Sequence, residues 1–326
     1  RALIKHELTH FLDHVTTEWG VETIARRGLL IESINNEYDD IENRGDVYFV
    51  NMSELQMHSE LVNIHENIPF LECDTVKHNL VYKEKHGSYI NVKFFKKDRL
   101  SCDVPLSMLS LLEANAISNE FLSRFDDITH MNQEFRRIAE SAVERKLEKL
   151  LNEPSLSEYS VLILLAKIHF KFLDSRQLLV FMSHLASFCL NISDISRGAM
   201  PEVIYRSFSN KVIGNCIWAE LSRGMSRHVI AFKTILFMYQ WLNELEEKIR
   251  IKQINMIKIN PFEVIKNFWN DNGRYKEVTD DFDREMMIRC LDSRRPEDVS
   301  LIKQALDKNK FWLEKRNLGY SSFDEI

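Results

Sequence analysis

The first residues of the chain carry a helical pattern of apolar positions. Large apolar side chains recur there at spacings of three, four and seven residues, which is the period of an amphipathic helix. They are Leu3, Ile4, Leu8, Phe11, Leu12 and Val15. Gly20 follows and is placed to end the helix. We therefore predict a helix over residues 2–19 that turns this apolar face, including Leu8, Phe11 and Leu12, toward the core.

A region of mixed pattern extends from about residue 21 to residue 103. Runs rich in β-branched and aromatic residues predict the strands of a small sheet or hairpin. These runs lie at residues 47–50, 80–83 and 89–95. Polar residues and Gly87 separate the last two runs and favour a turn between them.

Helical patterns dominate the rest of the chain. Asp103 is placed as an N-cap and Pro105 in the first turn of a helix that we expect to run to about Arg124. Further helices are predicted at residues 133–151, 155–172, 176–190, 211–222, 226–250, 261–270, 281–291 and 296–315. Residues 196–198 and Pro201 mark a connection between two of them.

Composition narrows the class of protein. The 326 residues include 43 basic and 49 acidic side chains, a formal net charge of −6 at pH 7, which argues against nucleic-acid binding through overall charge. The 9 glycines and 6 prolines are too few for the repeated tight turns of an all-β protein. The 5 scattered cysteines favour a reducing, cytoplasmic location over a disulfide framework. Charged residues interrupt the longest apolar stretch, residues 161–190, so we predict no membrane span.

Residues 6–10 read His-Glu-Leu-Thr-His and lie on the first predicted helix. Four residues advance a helix by about 400°, so His6 and His10 project from one face and can bind one metal ion. Glu7 can reach a water molecule on that ion and take its proton. We therefore predict Zn²⁺ bound by the two histidines, with Glu7 as the general base of a hydrolysis.

In these residues the sequence resembles the HExxH zinc metallopeptidases. The resemblance implies that His6 and His10 are zinc ligands and that Glu7 is the general base. The longer string around the motif also resembles a group of bacterial and phage HExxH proteins. Metzincins are excluded, because Asp13 and Thr16 stand where that branch has a glycine and a third histidine.

The position of the motif bears on the expected sheet. Zincins usually have strands ahead of the zinc helix, whereas five residues precede the motif here. Either further N-terminal strands lie outside the given sequence, or the later strand-like runs supply the sheet.

The third ligand must come from elsewhere in the chain. Gluzincins take it from a glutamate on a second helix, often beside small residues, and Glu113 has Ser110 and Ala116 on its helical face. A carboxylate among apolar neighbours is costly to bury unless a metal compensates its charge. We predict Glu113 as the third ligand. Glu54 is the alternative, although a first-turn acid behind a Ser/Asn cap needs no metal to explain it.

Other candidates have weaker support. His14 stands eight residues after His6, about 12 Å of helical rise, which is too far for ligation of the same ion from a straight helix. His58 and His65 could share a helical face, and we expect them to be structural or solvated. Residues that could orient ligands are Asp13, Glu120 and His130; those that could donate to an oxyanion are Tyr48, Tyr82, Tyr89 and His130.

Taken together, these patterns predict an α+β, predominantly helical protein. Residues 1–130 would form a zincin-like metallopeptidase domain with a small sheet, and residues 131–326 a helical domain that shapes the cleft or docks a protein partner. The expected reaction is hydrolysis of a protein or peptide substrate by a zinc-bound water. The alternatives are a zinc hydrolase of non-peptide amides or esters, and a non-catalytic subunit of a phage virion or bacterial defence assembly with a vestigial motif.

Overall fold

The computed structural model describes residues 2–20, 23, 54–66, 68–192, 200–222 and 224–271. This part of the chain is mostly helical, with one small antiparallel sheet, which confirms the α+β, predominantly helical class. The helices are α1 (Ala2–Thr16), α2 (Glu54–Leu61), α3 (Met108–Asp127), α4 (Gln133–Leu151), α5 (Ser157–His169), α6 (Ser175–Asn191), α7 (Met200–Arg206), α8 (Lys211–Ser222), α9 (Arg227–Glu244), α10 (Glu247–Ile259) and α11 (Pro261–Asp271). Over these residues, each helix is too short or too polar to cross a membrane.

Four antiparallel strands form the sheet in the order β1-β4-β3-β2. They are β1 (Asn63–Ile64), β2 (Thr75–Lys83), β3 (Gly87–Lys96) and β4 (Arg99–Leu106). The predicted runs at 80–83 and 89–95 are confirmed as parts of β2 and β3, and the run at 47–50 lies outside the described residues. Lys97 and Asp98 join β3 to β4 with φ of 47° and 64°, the left-handed pair that a two-residue hairpin turn requires.

The predicted start of the next helix is wrong. Asp103 and Pro105 belong to β4, and Ser107 is the N-cap of α3, with its backbone N–H donating to Ser110 Oγ at 3.3 Å. At Pro105, β4 pairs with β3 on one side only, because β1 reaches no further than Cys102 and Asp103. A proline is tolerated at such an edge position, where its missing N–H breaks no strand pairing.

The later helices agree with the sequence pattern except at two places. The single helix expected over residues 226–250 is divided into α9 and α10 by Leu245 and Glu246, whose backbones are extended. Pro201 does not mark a connection but lies in the first turn of α7. The fixed φ of proline suits that position of a helix. The helices predicted at 281–291 and 296–315 lie outside the described residues.

Helix α3 is buried along most of its length and contacts α1, α5 and α6. Small side chains on α3 allow these neighbours to approach its backbone, among them Ser110, Ala114, Ala116 and Ser118, all fully buried. One hydrophobic cluster includes residues on both sides of position 130, such as Leu111 and Leu162. The division into domains at 1–130 and 131–326 stays a prediction.

The orientation of α1 differs from the prediction. Its buried face carries His6, Thr9 and Asp13, whereas Phe11 is 59% exposed and Leu8 is half-buried. Among the other apolar residues of the pattern, Leu12 is buried and Leu3 and Ile4 are exposed. The expectation that Leu8 and Phe11 face the core is therefore wrong. The face of α3 that receives α1 is itself polar, and paired polar groups hold the two helices together.

Candidate metal centre

Three predicted ligand atoms converge between α1 and α3. The Nε2 atoms of His6 and His10 lie 3.2 Å apart, and Glu113 Oε2 lies 3.3 Å from each of them. Among the described residues, these three form the one cluster of histidine, cysteine and carboxylate side chains with the spacing of a metal site. The structure thus brings together the three side chains that were predicted as ligands.

The donor set fits a tetrahedral zinc ion. Zinc binds imidazole nitrogen and carboxylate oxygen at about 2.0–2.2 Å, so neighbouring ligand atoms of a tetrahedral site are separated by about 3.3–3.6 Å. The three measured separations are close to this edge length. Glu113 Oε2 is buried and makes no contact with hydrogen-bond geometry, which leaves an oxygen in need of a cation.

The electrostatics of the cluster reflect the buried carboxylates. Burial by itself would lower the pKa of His6, but contacts with Glu113 and Glu120 outweigh it and raise the pKa to about 9. Burial would raise the pKa of Glu113, yet the neighbouring His10 and His6 hold it below its usual value. In the absence of a metal, a proton on His6 therefore balances part of the negative charge.

Glu120 lies behind the first histidine. Its Oε2 is 3.3 Å from His6 Nδ1, the ring nitrogen that faces away from Glu113, and its other oxygen accepts a 2.6 Å hydrogen bond from Arg124. Burial opposes ionisation of Glu120, but His6 and Arg124 lower its pKa overall. A carboxylate in this place orients the imidazole and makes Nε2 a better donor to a metal. Glu120 thus lies within ion-pair distance of His6, although His6 Nδ1 makes no contact with hydrogen-bond geometry, and the orienting role of Glu120 stays a prediction.

A buried polar pair fixes the register of α1 on α3. The Asn115 side-chain amide donates to both oxygens of Asp13 at 3.0 and 2.8 Å, and Asp13 has no exposed surface. Asn119 donates to Asn115 Oδ1 at 2.9 Å and to Ser183 Oγ of α6 at 3.3 Å. Because Asn115 stands two residues after the candidate ligand Glu113, this pair positions that carboxylate relative to the histidines.

The end of α1 is also specified by contacts. Gly20 packs so closely that a Cβ would lie 2.2 Å from the carbonyl oxygen of His14, and its N–H donates to Thr17 Oγ1 at 3.0 Å. His14 donates from Nδ1 to the carbonyl oxygen of His10 at 2.8 Å and packs against Trp19. His14 is therefore not one of the clustered ligands, as the spacing had indicated, and supports the helix instead.

One residue of α5, Tyr159, lies beside the centre and was missed by the sequence analysis. The ring of Tyr159 lies 6.2 Å from that of His6. Burial raises the pKa of Tyr159, and the negative charges of Glu113, Glu158 and Glu7 raise it further. No spacing in the sequence connects α5 to the motif, because tertiary packing on α3 alone creates the contact.

The remaining candidates lie away from the cluster or cannot be placed. Glu54 begins α2, as expected for a first-turn acid, but its side chain lies outside the description, as does Tyr48. His58 is buried against Ser107 at 3.0 Å.

The possibility that His58 and His65 share a helical face is wrong, because α2 ends at Leu61 and His65 pairs with Asp103 after β1. Tyr82 and His130 are exposed, and Tyr89 is buried beside Met57 and Leu61.

Comparisons of the chain with protein-family models, with curated proteins and with solved structures give no match. The resemblance to HExxH peptidases therefore stays confined to the motif itself. The chemistry of the site must be argued from its residues and their geometry.

Proposed function

We propose that the protein is a zinc-dependent metallopeptidase. His6, His10 and Glu113 would hold the ion, and three protein ligands leave one position of a tetrahedral site open, as catalytic zinc sites require. The observation that carries the proposal is the convergence of the three ligand atoms at separations of 3.2–3.3 Å. The exposed Glu7 beside them supports a catalytic rather than a purely structural site.

The side chains around the centre can divide the work of hydrolysis. When bound, zinc would polarise the scissile carbonyl and lower the pKa of a water molecule. Glu7 would take the proton of that water and pass it to the leaving amine. Tyr159 keeps its phenolic proton, since its pKa is raised, and would donate a hydrogen bond to the oxygen that gains negative charge. Glu120 would hold the His6 ring in place through Nδ1.

We propose that the unit is zincin-like and that β1–β4, which follow α1 in the chain, belong to its sheet. Helix α5, from the region predicted as a separate helical domain, would complete the site with Tyr159. Cys73, Cys102, Cys189 and Cys216 carry free thiols, which supports the proposed cytoplasmic location.

The proposed mechanism is tested by replacing its base without changing its shape. Glu7→Gln should keep bound zinc and lose at least about a hundredfold in turnover of a peptide mixture, because the amide cannot accept the proton. Glu144→Gln, a change of the same chemistry on the exposed face of α4, is the matched control and should leave turnover intact. Equal turnover in the two variants would contradict the mechanism.

A further inference from the structure

A buried polar network connects α1, which carries both histidines, to α6, which carries none of the clustered ligands. Its members are Asp13 of α1, Asn115 and Asn119 of α3, and Ser183 of α6. Asn119 donates to Asn115 Oδ1 at 2.9 Å, and Asn115 donates to both carboxylate oxygens of Asp13. At the other end, Asn119 Nδ2 lies 3.3 Å from Ser183 Oγ. All four side chains are at most 4% exposed, so the network runs through the interior.

The network fixes the orientation of its own amides. An asparagine amide has a donor end and an acceptor end, so a flipped Asn115 would turn its oxygen toward the carboxylate of Asp13. Asn119 prevents this flip, because its Nδ2 donates to Asn115 Oδ1. Asn119 is itself oriented by the backbone, since the same Nδ2 donates to the carbonyl oxygen of Asn115 at 2.9 Å. Ser183 Oγ also lies 3.5 Å from Asn119 Oδ1 and supports this amide from α6.

The network lies within one helical turn of the candidate ligands. Asp13 follows His10 by three residues and Asn115 follows Glu113 by two, while a turn has 3.6 residues. A shift of α1 by one residue would move its histidines by about 1.5 Å along the helix axis and rotate them by about 100°. Metal–ligand distances tolerate deviations of only about 0.2 Å. The centre therefore depends on a contact that permits one register of α1 on α3.

The buried threonines of the same face of α1 do not supply such a contact through their hydroxyls. Thr9 donates to the carbonyl oxygen of Lys5 at 2.8 Å, and Thr16 donates to that of Leu12 at 2.7 Å. Hydroxyls that are bonded within their own helix do not select a position on a neighbouring helix. A carboxylate that meets an amide across the interface does, and buried polar contacts can select one arrangement where apolar packing permits several.

We propose that Asn119 is a positioning residue of the zinc centre, which acts through Asn115 and Asp13 to hold the ligands of α1 and α3 in one register. Ser183 extends this support to α6, so that the packing of a helix without ligands affects metal binding. This inference rests on the metal site of the proposed function and does not depend on hydrolysis.

Zinc affinity of the folded protein tests the proposal, because loss of stability alone would lower the melting temperature without changing that affinity. Asn119→Leu should weaken zinc binding at least fivefold in competition with a chelating dye, within the range of about 2- to 30-fold seen when coupled networks are mutated. The visible absorption spectrum of the cobalt-substituted protein should change as well, since it reports the geometry of the ligands.

Asn191→Leu is the matched control. Asn191 of α6 is also buried and also donates to the carbonyl oxygen four residues earlier, at 2.8 Å, but it lies outside the polar network. Zinc affinity should stay within about twofold of the wild type in this variant, and the cobalt spectrum should be unchanged. A milder pair compares two buried hydroxyls of α6: Ser183→Ala should weaken zinc binding, whereas Ser187→Ala should not, because Ser187 Oγ makes no hydrogen bond within the described structure.

The outcomes separate this inference from the proposed function. Equal zinc affinity and equal cobalt spectra in Asn119→Leu and Asn191→Leu would overturn the role of Asn119 and leave the metal centre standing. If Asn119→Leu does not fold, the serine pair decides, and equal affinities of Ser183→Ala and Ser187→Ala overturn the proposal. A wild-type protein that binds no zinc would contradict both. The expected order of affinities without any peptide turnover would support the network and contradict hydrolysis.

Discussion

Raising the pH should destabilise the metal-free protein through His6. Burial would lower the pKa of this imidazole, but contacts with Glu113 and Glu120 raise it from 6.5 to about 9. The folded state therefore holds the proton more tightly than the unfolded state does. The resulting stabilisation is complete below pH 6.5 and is lost as the pH rises through about 9.

The size of the effect follows from the shift. A pKa difference of about 2.5 units between the folded and unfolded states changes the free energy of unfolding by at most about 3 kcal/mol at 25 °C. The full change requires that the contacts of His6 with Glu113 and Glu120 stay intact in the folded protein. His6 is only 7% exposed, so solvent screens these contacts little. Zinc binding should depend on pH in the opposite direction, because the metal must displace the proton from His6 Nε2. The affinity for zinc should therefore rise about tenfold for each pH unit between 6.5 and 9.

Urea unfolding of the chelator-treated protein between pH 6 and 9.5 measures the first effect, and competition with a chelating dye measures the second. Glu120→Gln should reduce the decrease in the free energy of unfolding between pH 6.5 and 9, because one of the two carboxylates that hold the proton on His6 becomes a neutral amide. Glu144→Gln is the control and should leave the pH profile unchanged. A metal-free stability that is flat or rises from pH 6.5 to 9 would refute this account of His6.

Four further substitutions test the third ligand and the packing around the centre. Glu113→Ala should reduce zinc affinity at least tenfold in the dye assay. Glu54→Ala should keep zinc and lower the free energy of unfolding in urea by about 1 kcal/mol or less. Loss of zinc in Glu54→Ala and its retention in Glu113→Ala would instead assign the third ligand to α2. Asn115→Ala removes both hydrogen bonds to the buried Asp13 and should cost about 2 kcal/mol or more in urea, with weaker zinc binding; a loss below about 0.5 kcal/mol would contradict the positioning role. Gly20→Ala places a Cβ 2.2 Å from a carbonyl oxygen and should cost about 1–3 kcal/mol; an unchanged melting temperature would show that α1 does not need this close approach.

The sequence was informative where local chemistry dominates. The motif predicted the helix and its two histidines, because a spacing of four residues has one outcome on a helix. Glu113 could be chosen as a candidate because an acid flanked by Ser110 and Ala116 is unusual on a buried face, and these small residues are fully buried against their neighbours.

Prediction failed where tertiary contacts override pattern. The apolar periodicity pointed Phe11 to the core, but the polar pairing of Asp13 with Asn115 turned the other face of α1 inward. Tyr159 carries no local signal, since only the packing of α5 on α3 brings it to the centre. Departures from local rules of this kind are expected to gather at functional sites.

The most direct test of the central claim is to locate the ion itself. A crystal of the zinc-loaded protein, measured at the zinc absorption edge, should show one anomalous peak about 2.0–2.2 Å from His6 Nε2, His10 Nε2 and a Glu113 oxygen. Zinc at another place, or no peak at this cluster despite an excess of the metal, would contradict the metal centre proposed for this protein.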